Sequence, residues 1–327
     1  MKLHSIVGII TLLMIYSCSN PPLSELNYEY KGSISQIGDS SYLSKTIGGF
    51  LSINNIIYAS DVFNSRCIMF DTLFQVRSIF GKAGRGPGEF ITPSQIASFK
   101  DSIYVYDSSQ NKYLVFIQTG NFVREFYIKD SRPTNKFIIT PNGQIVLSNP
   151  FAAKPLSVYD LNGNKKFEFG RIIEKWKSKN ANISNYRELE LVNDSLIIAI
   201  LRYQPIIEVY DLNGKLLIEK DISEQQQIKD RINSIDFNKQ GFPIIANSTT
   251  VDRNILYILT LKELDSEWWS TGLLGIHVDS KNIVPITQTT LHRPKANKCY
   301  YGKMLAHNGH LYAFEVLKNE IDIFKMN

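Results

Sequence analysis

Ile103-Tyr104-Val105-Tyr106-Asp107, four polar residues, Lys112-Tyr113-Leu114-Val115-Phe116, a turn at Gln118-Thr119-Gly120-Asn121, and then Phe122-Val123-Arg124-Glu125-Phe126 form the stretch that decides the fold. Each run is short, rich in β-branched and aromatic residues, and bounded by turn formers, so it reads as three consecutive antiparallel strands. The preceding block has the same grammar: 56–61, then 66–71, then 74–80. It recurs downstream at 144–149, 155–160 and 165–170, and again at 196–201, 206–211 and 215–220. A fifth, looser copy covers 255–259, 273–278 and 283–288, and a sixth has only 310–316 and 320–326. The repeat distance is roughly 40–60 residues, the range of four-stranded propeller blades. A short turn precedes the first strand of most copies, at Asn54-Asn55, Lys100-Asp101-Ser102, Pro141-Asn142-Gly143, Asn193-Asp194-Ser195 and Asn308-Gly309. The twin Tyr-Asp-Leu-Asn-Gly turns at 159–163 and 210–214 are the clearest internal echo.

The incomplete sixth copy carries its own information. An open ring would leave two sheet edges unpaired, a template for aggregation. A strand from the N-terminal part, within 26–32, completes the last blade. The expected fold is therefore all-β: a six-bladed β-propeller of four-stranded antiparallel blades, closed by an N-terminal strand joining the last blade. Phe80-Gly81-Lys82-Ala83-Gly84-Arg85-Gly86-Pro87-Gly88-Glu89-Phe90 is then the junction between the first two blades. Four glycines and a proline cannot form the interior of a strand or helix, and Phe80 and Phe90 bracket them as apolar anchors.

Gly86-Pro87-Gly88-Glu89-Phe90, with Pro93 and the strands from Ile103 to Phe116 that follow, resembles an NHL-type propeller repeat. The N-terminus adds to the likeness. Met1-Lys2 precedes an apolar run from Leu3 to Ile15, which ends in Ile15-Tyr16-Ser17-Cys18. The run is short for a membrane span and resembles the signal and lipobox of bacterial lipoproteins. The whole layout resembles the six-bladed propeller lipoproteins common in Bacteroidetes. That resemblance implies a signal peptide at 1–17, lipidation at Cys18, a tether through residue 25 and one propeller domain over 26–327. It implies a cell-envelope address, at the outer membrane rather than the inner. Ser19-Asn20-Pro21-Pro22-Leu23-Ser24 lacks acidic residues, unlike surface-exported lipoproteins of that phylum, which favours the periplasmic face. The family carries no general activity to transfer.

Composition agrees. A mature chain of about 310 residues can bury a large core, and 18 Phe and 17 Tyr suit sheet packing. The net charge is +5, with no run of five like charges, so nothing suggests nucleic acid. Cys67 and Cys299 are expected as buried free thiols. Export would permit a disulfide, but two cysteines do not make a framework.

Propeller geometry places the long connections on one face: 81–93, 129–135, 171–186, 221–232, 261–271 and 289–298. Binding residues usually sit on long loops over a rigid scaffold. The ligand-binding candidates are Arg85, Arg132, Trp176, Arg202, Tyr203, Trp268, Trp269, His292 and Arg293, with Arg171 beside them. Arginine and aromatic groups suit sugar stacking or the gripping of carboxylates and phosphates. The same loops carry Asp221, Glu224, Asp230, Glu263, Asp265 and Glu267, so the face is not uniformly basic. Residues 172–186, with Trp176 among lysines, read as a short surface helix.

No Gly-x-Ser-x-Gly elbow, P-loop or helical His pair occurs, so no catalytic residue, metal ligand or cofactor is assigned. His307 and His310 read as turn residues. Asp61 and Asp107 each follow a strand at the same repeat position, which favours bonding to turn amides over acid–base work. The inner strands offer Gln95, Asn135, Glu188, Glu190 and Asp236 at scattered levels, an unconvincing metal set. Asp71-Thr72-Leu73, Asp101-Ser102-Ile103 and Asp194-Ser195-Leu196 resemble the O-glycosylation signal of Bacteroidetes exported proteins, which implies Thr72, Ser102 and Ser195 as acceptors. The functional expectation is a membrane-anchored, non-catalytic propeller binding a saccharide, peptide or envelope protein partner. The alternative is a metal-dependent propeller hydrolase, lactonase or lyase with its site at the central channel.

Overall fold

Six four-stranded antiparallel units follow one another in the chain. The computed structural model describes residues 23–37, 41–73, 75–129, 136–174, 183–236, 242–296 and 298–327. Blade 1 has strands Ile47–Ile53, Ile56–Asp61, Arg66–Asp71 and Val76–Phe80. Blade 2 has Pro93–Phe99, Ser102–Asp107, Lys112–Ile117 and Phe122–Phe126. Blade 3 has Phe137–Ile139, Gln144–Ser148, Leu156–Asp160 and Lys165–Phe169. Blade 4 has Arg187–Val192, Leu196–Leu201, Ile206–Asp211 and Leu216–Asp221. Blade 5 has Ser248–Asp252, Ile255–Leu264, Glu267–Val278 and Ile283–Thr290. Blade 6 takes Tyr301–His307, His310–Glu315 and Glu320–Met326 from the C-terminus.

The fourth strand of blade 6 is Tyr28–Ile34, antiparallel to Glu320–Met326. This is the expected closure, and its chemistry is explicit. Ser33 donates to Asp322 at 2.7 Å, and the same carboxylate accepts from Arg293 Nε at 2.7 Å and Tyr301 Oη at 2.8 Å. Tyr28 packs edge-on against Phe324 with ring centroids 5.2 Å apart. Just upstream, Ser24–Glu25 adds a fifth strand, parallel to Ile283–Thr290, on the outer edge of blade 5.

Apolar side chains from successive blades interdigitate. Tyr104, Tyr113 and Phe126 of blade 2 share a buried cluster with Phe137, Ile145 and Tyr159 of blade 3. The outer strands Val76–Phe80 and Tyr28–Ile34 alternate between more and less buried positions, as half-buried strands do. The turns explain the echoed sequence motif. Asp160 Oδ1 accepts the amides of Asn162 and Asn164, and Asp211 Oδ1 those of Asn213 and Lys215, all at 2.9 Å. Asp71 does the same for Leu73 and Gln75. The Asn164 amide in particular holds the Asp160 carboxyl well below the usual carboxylate range.

At the junction of blades 1 and 2, Phe90 is fully buried and packs 5.5 Å from Phe116. A Cβ at Gly81, whose φ is +72°, would lie 2.2 Å from the Phe90 ring. Glu89 closes the loop from within: its carboxylate accepts the Gly86 amide at 2.7 Å and pairs with Lys82 at 3.2 Å. The Gly86 N–H and Lys82 lower its pKa.

Two loop expectations change. Residues 261–271 are not a loop: strands Ile255–Leu264 and Glu267–Val278 continue to a tight turn at Asp265-Ser266, where both φ are positive (51° and 63°). That conformation matches the twist of a two-residue hairpin. The 221–232 connection carries a helix, α1 (Gln226–Asn233), seated by buried Ile228. Cys67 and Cys299 are free and buried.

Candidate functional site

The fold gathers two polar regions. The first surrounds α1 at the tip of blade 5. A groove of about 720 Å³ runs beside it, lined by Asn27, Tyr28, Gln226, Lys262, Gln288 and His292 among others. A second cavity of about 370 Å³ lies between α1 and Trp268. Gln227 ties the helix to the blade, accepting from Thr260 at 2.9 Å and donating to the Thr289 carbonyl at 3.3 Å. Tyr28 Oη donates to the Thr290 carbonyl and meets His292 Nδ1, each at 2.8 Å. Three inaccessible polar atoms here have no partner among the described residues: Gln288 Oε1, Trp269 Nε1 and Arg231 Nε. Buried polar atoms are normally satisfied, so such a concentration asks for an explanation.

The second region is the central channel. At one level it is lined by Gly49, Gln95, Lys136, Glu188, Ser248, Thr249 and Lys303, drawn from all the blades. Lys136 pairs with Glu190 at 2.6 Å, and Thr249 donates to the same Glu190 oxygen at 2.7 Å. Arg202 pairs with Glu188 at 2.9 Å and also donates to Asn247 Oδ1 at 3.2 Å. Beyond this polar layer the walls turn apolar at Phe50, Ile96, Ile138, Leu191, Val251 and Leu305, around a cavity of about 260 Å³. That cavity also reaches Ser52, Ser98 and Asp194, towards the short-turn face.

Of the residues nominated from sequence, the structure brings His292 and Trp268 to the α1 region. Trp268 lies under Arg231 at 4.7 Å, and Trp269 under Lys298 at 5.5 Å. Both tryptophans sit on a strand rather than a loop. Arg202 belongs to the channel, and Tyr203 packs at tilted angles against Tyr186 and Phe242. Arg85 is exposed on the first junction, away from both regions. Arg293 is consumed by the closure, bridging Asp322 and Glu320 while only 7% exposed. Arg171 pairs with Glu219 at 2.8 Å. Arg132, Trp176 and Asn135 lie outside the described residues, as do Cys18 and the signal region. Thr72, Ser102 and Ser195 stand in or beside short turns, with Ser195 exposed.

The inner-strand set is less scattered than its sequence spacing suggests. Gln95, Glu188 and Glu190 converge in the channel with Lys136 and Lys303, which sequence reasoning passed over; Asp236 is exposed and lines none of the channel. Lys136 and Lys303 lie near the starts of inner strands, and that repeat position was their only signal. Asp61 and Asp107 act as the sequence suggests. Asp107 accepts the amides of Ile91, Thr92, Ser109 and Gln110; Asp61 accepts from the Ser44 amide, Asn64 and Arg66. Among the described residues, no three His, Cys, Asp or Glu side chains converge as a metal site. No helix among them is long and apolar enough to cross a membrane.

A ring of six four-stranded blades with a polar channel and a helix-flanked groove defines a six-bladed β-propeller. The chain belongs to the DUF5128 family, described as a 6-bladed beta-propeller, whose model matches residues 38–246. No curated protein matches the sequence. Among solved structures, a protein of Bacteroides fragilis described as exported is similar over 93% of this chain and 94% of its own, with a TM-score of 0.60 and 13% identity. A DUF4221-family member from Bacteroides vulgatus covers 94% of this chain and 99% of its own, with a TM-score of 0.56 and 12% identity. Virginiamycin B lyase from Staphylococcus aureus covers 90% and 87%, with a TM-score of 0.54 and 9% identity. At these identities the likeness shows the fold alone.

Proposed function

We propose that this chain is an exported, non-catalytic binding propeller, lipid-anchored at Cys18 in the bacterial envelope. Its partner is a saccharide or peptide taken in the groove beside α1. One observation carries the reading: Gln288, whose Oε1 has no partner among the described residues, lines a groove walled by amide, hydroxyl and imidazole groups. Such a wall offers donors and acceptors to polyhydroxylated or amide-bearing ligands, and Trp268 supplies an aromatic wall to the adjoining cavity. The lipobox-like N-terminus, the NHL-like junction and the exported description of the Bacteroides fragilis relative support the address. The long-loop partner face of the sequence reading narrows here to the tip of blade 5. No observation among the described residues favours the metal-dependent alternative.

The test is a glycan and peptide screen followed by titration calorimetry. Gln288→Leu and Trp268→Ala should each weaken a hit by about tenfold, the scale of one lost polar or stacking contact, while Arg85→Ala leaves it unchanged. A hit that both groove variants bind as tightly as the wild type would refute the placement. An empty screen would refute the binding reading.

A further inference from the structure

Lys303 stands on the inner strand of blade 6 and lines a void of about 20 Å³ within the channel. Both carboxylates of that layer are already committed, Glu190 to Lys136 and Thr249, and Glu188 to Arg202. No hydrogen bond or ion pair engages the Lys303 ammonium among the described residues. Burial lowers its pKa, with Glu188 and Glu190 opposing and Arg202 and Lys136 adding to the effect. On the adjoining inner strand of blade 5, Ser248, 3% exposed, receives the Met304 amide at 3.3 Å. Its own hydroxyl proton finds no acceptor among the described residues. The layer holds three cations against two carboxylates. An ammonium and a hydroxyl, both without acceptors, therefore line one void.

We propose that this void is a site for a single small anion, a halide such as chloride, held between Lys303 Nζ and Ser248 Oγ. Size selects the ligand. A void of this volume admits about one water-sized sphere, which favours a monatomic ion over a carboxylate or phosphate. Charge selects it too, because a half-buried ammonium without an acid partner is stabilised by a counter-ion more than by a neutral dipole. The anion would tie blade 5, through Ser248, to blade 6, through Lys303, at the level where Lys136, Glu190 and Thr249 already join blades 3, 4 and 5. This site is separate from the groove beside α1 and does not depend on its occupant.

Two measurements on the purified full-length chain test it. Crystals soaked in sodium bromide should give an anomalous peak within about 3.5 Å of Lys303 Nζ, beyond hydrogen-bond contact to nitrogen by the larger ionic radius. An empty or water-filled void in that map overturns the proposal. In solution, replacing isethionate by chloride at fixed ionic strength should raise Tm saturably, by about 2–3 °C at a several-fold excess over Kd. Lys303→Met and Ser248→Ala should remove or reduce that rise. A wild-type Tm indifferent to chloride, or a folded Lys303→Met protein that responds as the wild type does, overturns it as well. Should either variant fail to fold, the bromide map on the wild type decides alone.

Discussion

Replacing Arg187 by Met should destabilise this propeller more than any surface change. Arg187 opens the inner strand of blade 4 and is 0% exposed, as is its partner Glu208. Nε donates to Glu208 Oε2 at 2.7 Å and Nη2 to Oε1 at 3.3 Å; Nη1 donates to the Asn185 carbonyl at 2.9 Å and Nη2 to the Arg171 carbonyl at 2.8 Å. Removing one member of such a pair leaves the other charge stranded, at a cost of about 3–5 kcal/mol. Two carbonyls, the buried one of Asn185 and the partly buried one of Arg171, lose donors in addition, at about 1 kcal/mol each. The expected loss for Arg187→Met is therefore about 5–7 kcal/mol, a large share of a typical domain's stability. In Arg187→Met/Glu208→Met the stranded charge is gone, and only the carbonyl term of about 2 kcal/mol should remain. Urea denaturation followed by circular dichroism, on wild type, both singles and the double, supplies the cycle. A double variant as unstable as the sum of its singles, or an Arg187→Met variant within about 1 kcal/mol of wild type, would refute the reasoning.

Three more expectations follow from the same geometry. Deleting residues before Ser35 removes the outer strand of blade 6 and uncovers Phe324; gel filtration should show aggregate and calorimetry no cooperative transition. Gly81→Ala must both adopt a φ of +72° and displace the Phe90 ring, so a loss of about 2–3 kcal/mol is expected in urea titration, whereas Gly309→Ala, with open space around it, should show the conformational cost only. Lys303 has a folded pKa below its unfolded value, so its penalty is full at low pH and is relieved as pH rises through the folded pKa towards the unfolded one. In chloride-free buffer the wild type should therefore gain stability relative to Lys303→Met between neutral pH and about pH 10, and a constant difference across that range would contradict the burial of a charged amine there.

The second to fourth strands of each blade were legible because each is a short apolar run between turn residues whose chemistry is local. Asp160 and Asp211 bond amides two and four residues ahead, so the motif carries its own structure wherever it occurs. The missing sixth-blade strand was legible as an absence, since an unclosed ring has a physical cost. The blade 5 hairpin was misread because Trp268, Trp269 and the charges around them resemble a loop, although Lys262 and Glu263 face Trp269 and Trp268 in register across it. Helix α1 left a faint signal in Ile228 and Ile232, spaced one turn apart and both packed on the core. The channel layer was not legible. Lys136, Glu188, Glu190 and Lys303 lie up to 167 positions apart, and whether two inner-strand side chains reach the same level depends on strand register in separate blades. That register is fixed by inter-blade packing, which no local pattern encodes.

The seam between Tyr28–Ile34 and Glu320–Met326 also sets an order of events. A chain delivered N-terminus first presents the closing strand at the outset and its partner last. Throughout delivery Tyr28–Ile34 has no ladder to join, and Arg293 has no Asp322 to hold. Blades 1 to 4 can form from contacts within themselves as they arrive, but the ring becomes a ring only when the final strand docks. The most aggregation-exposed interval of that delivery is therefore the wait for Glu320–Met326. A factor that guards the free first strand during that wait would govern its yield more than any stabilisation of the finished fold.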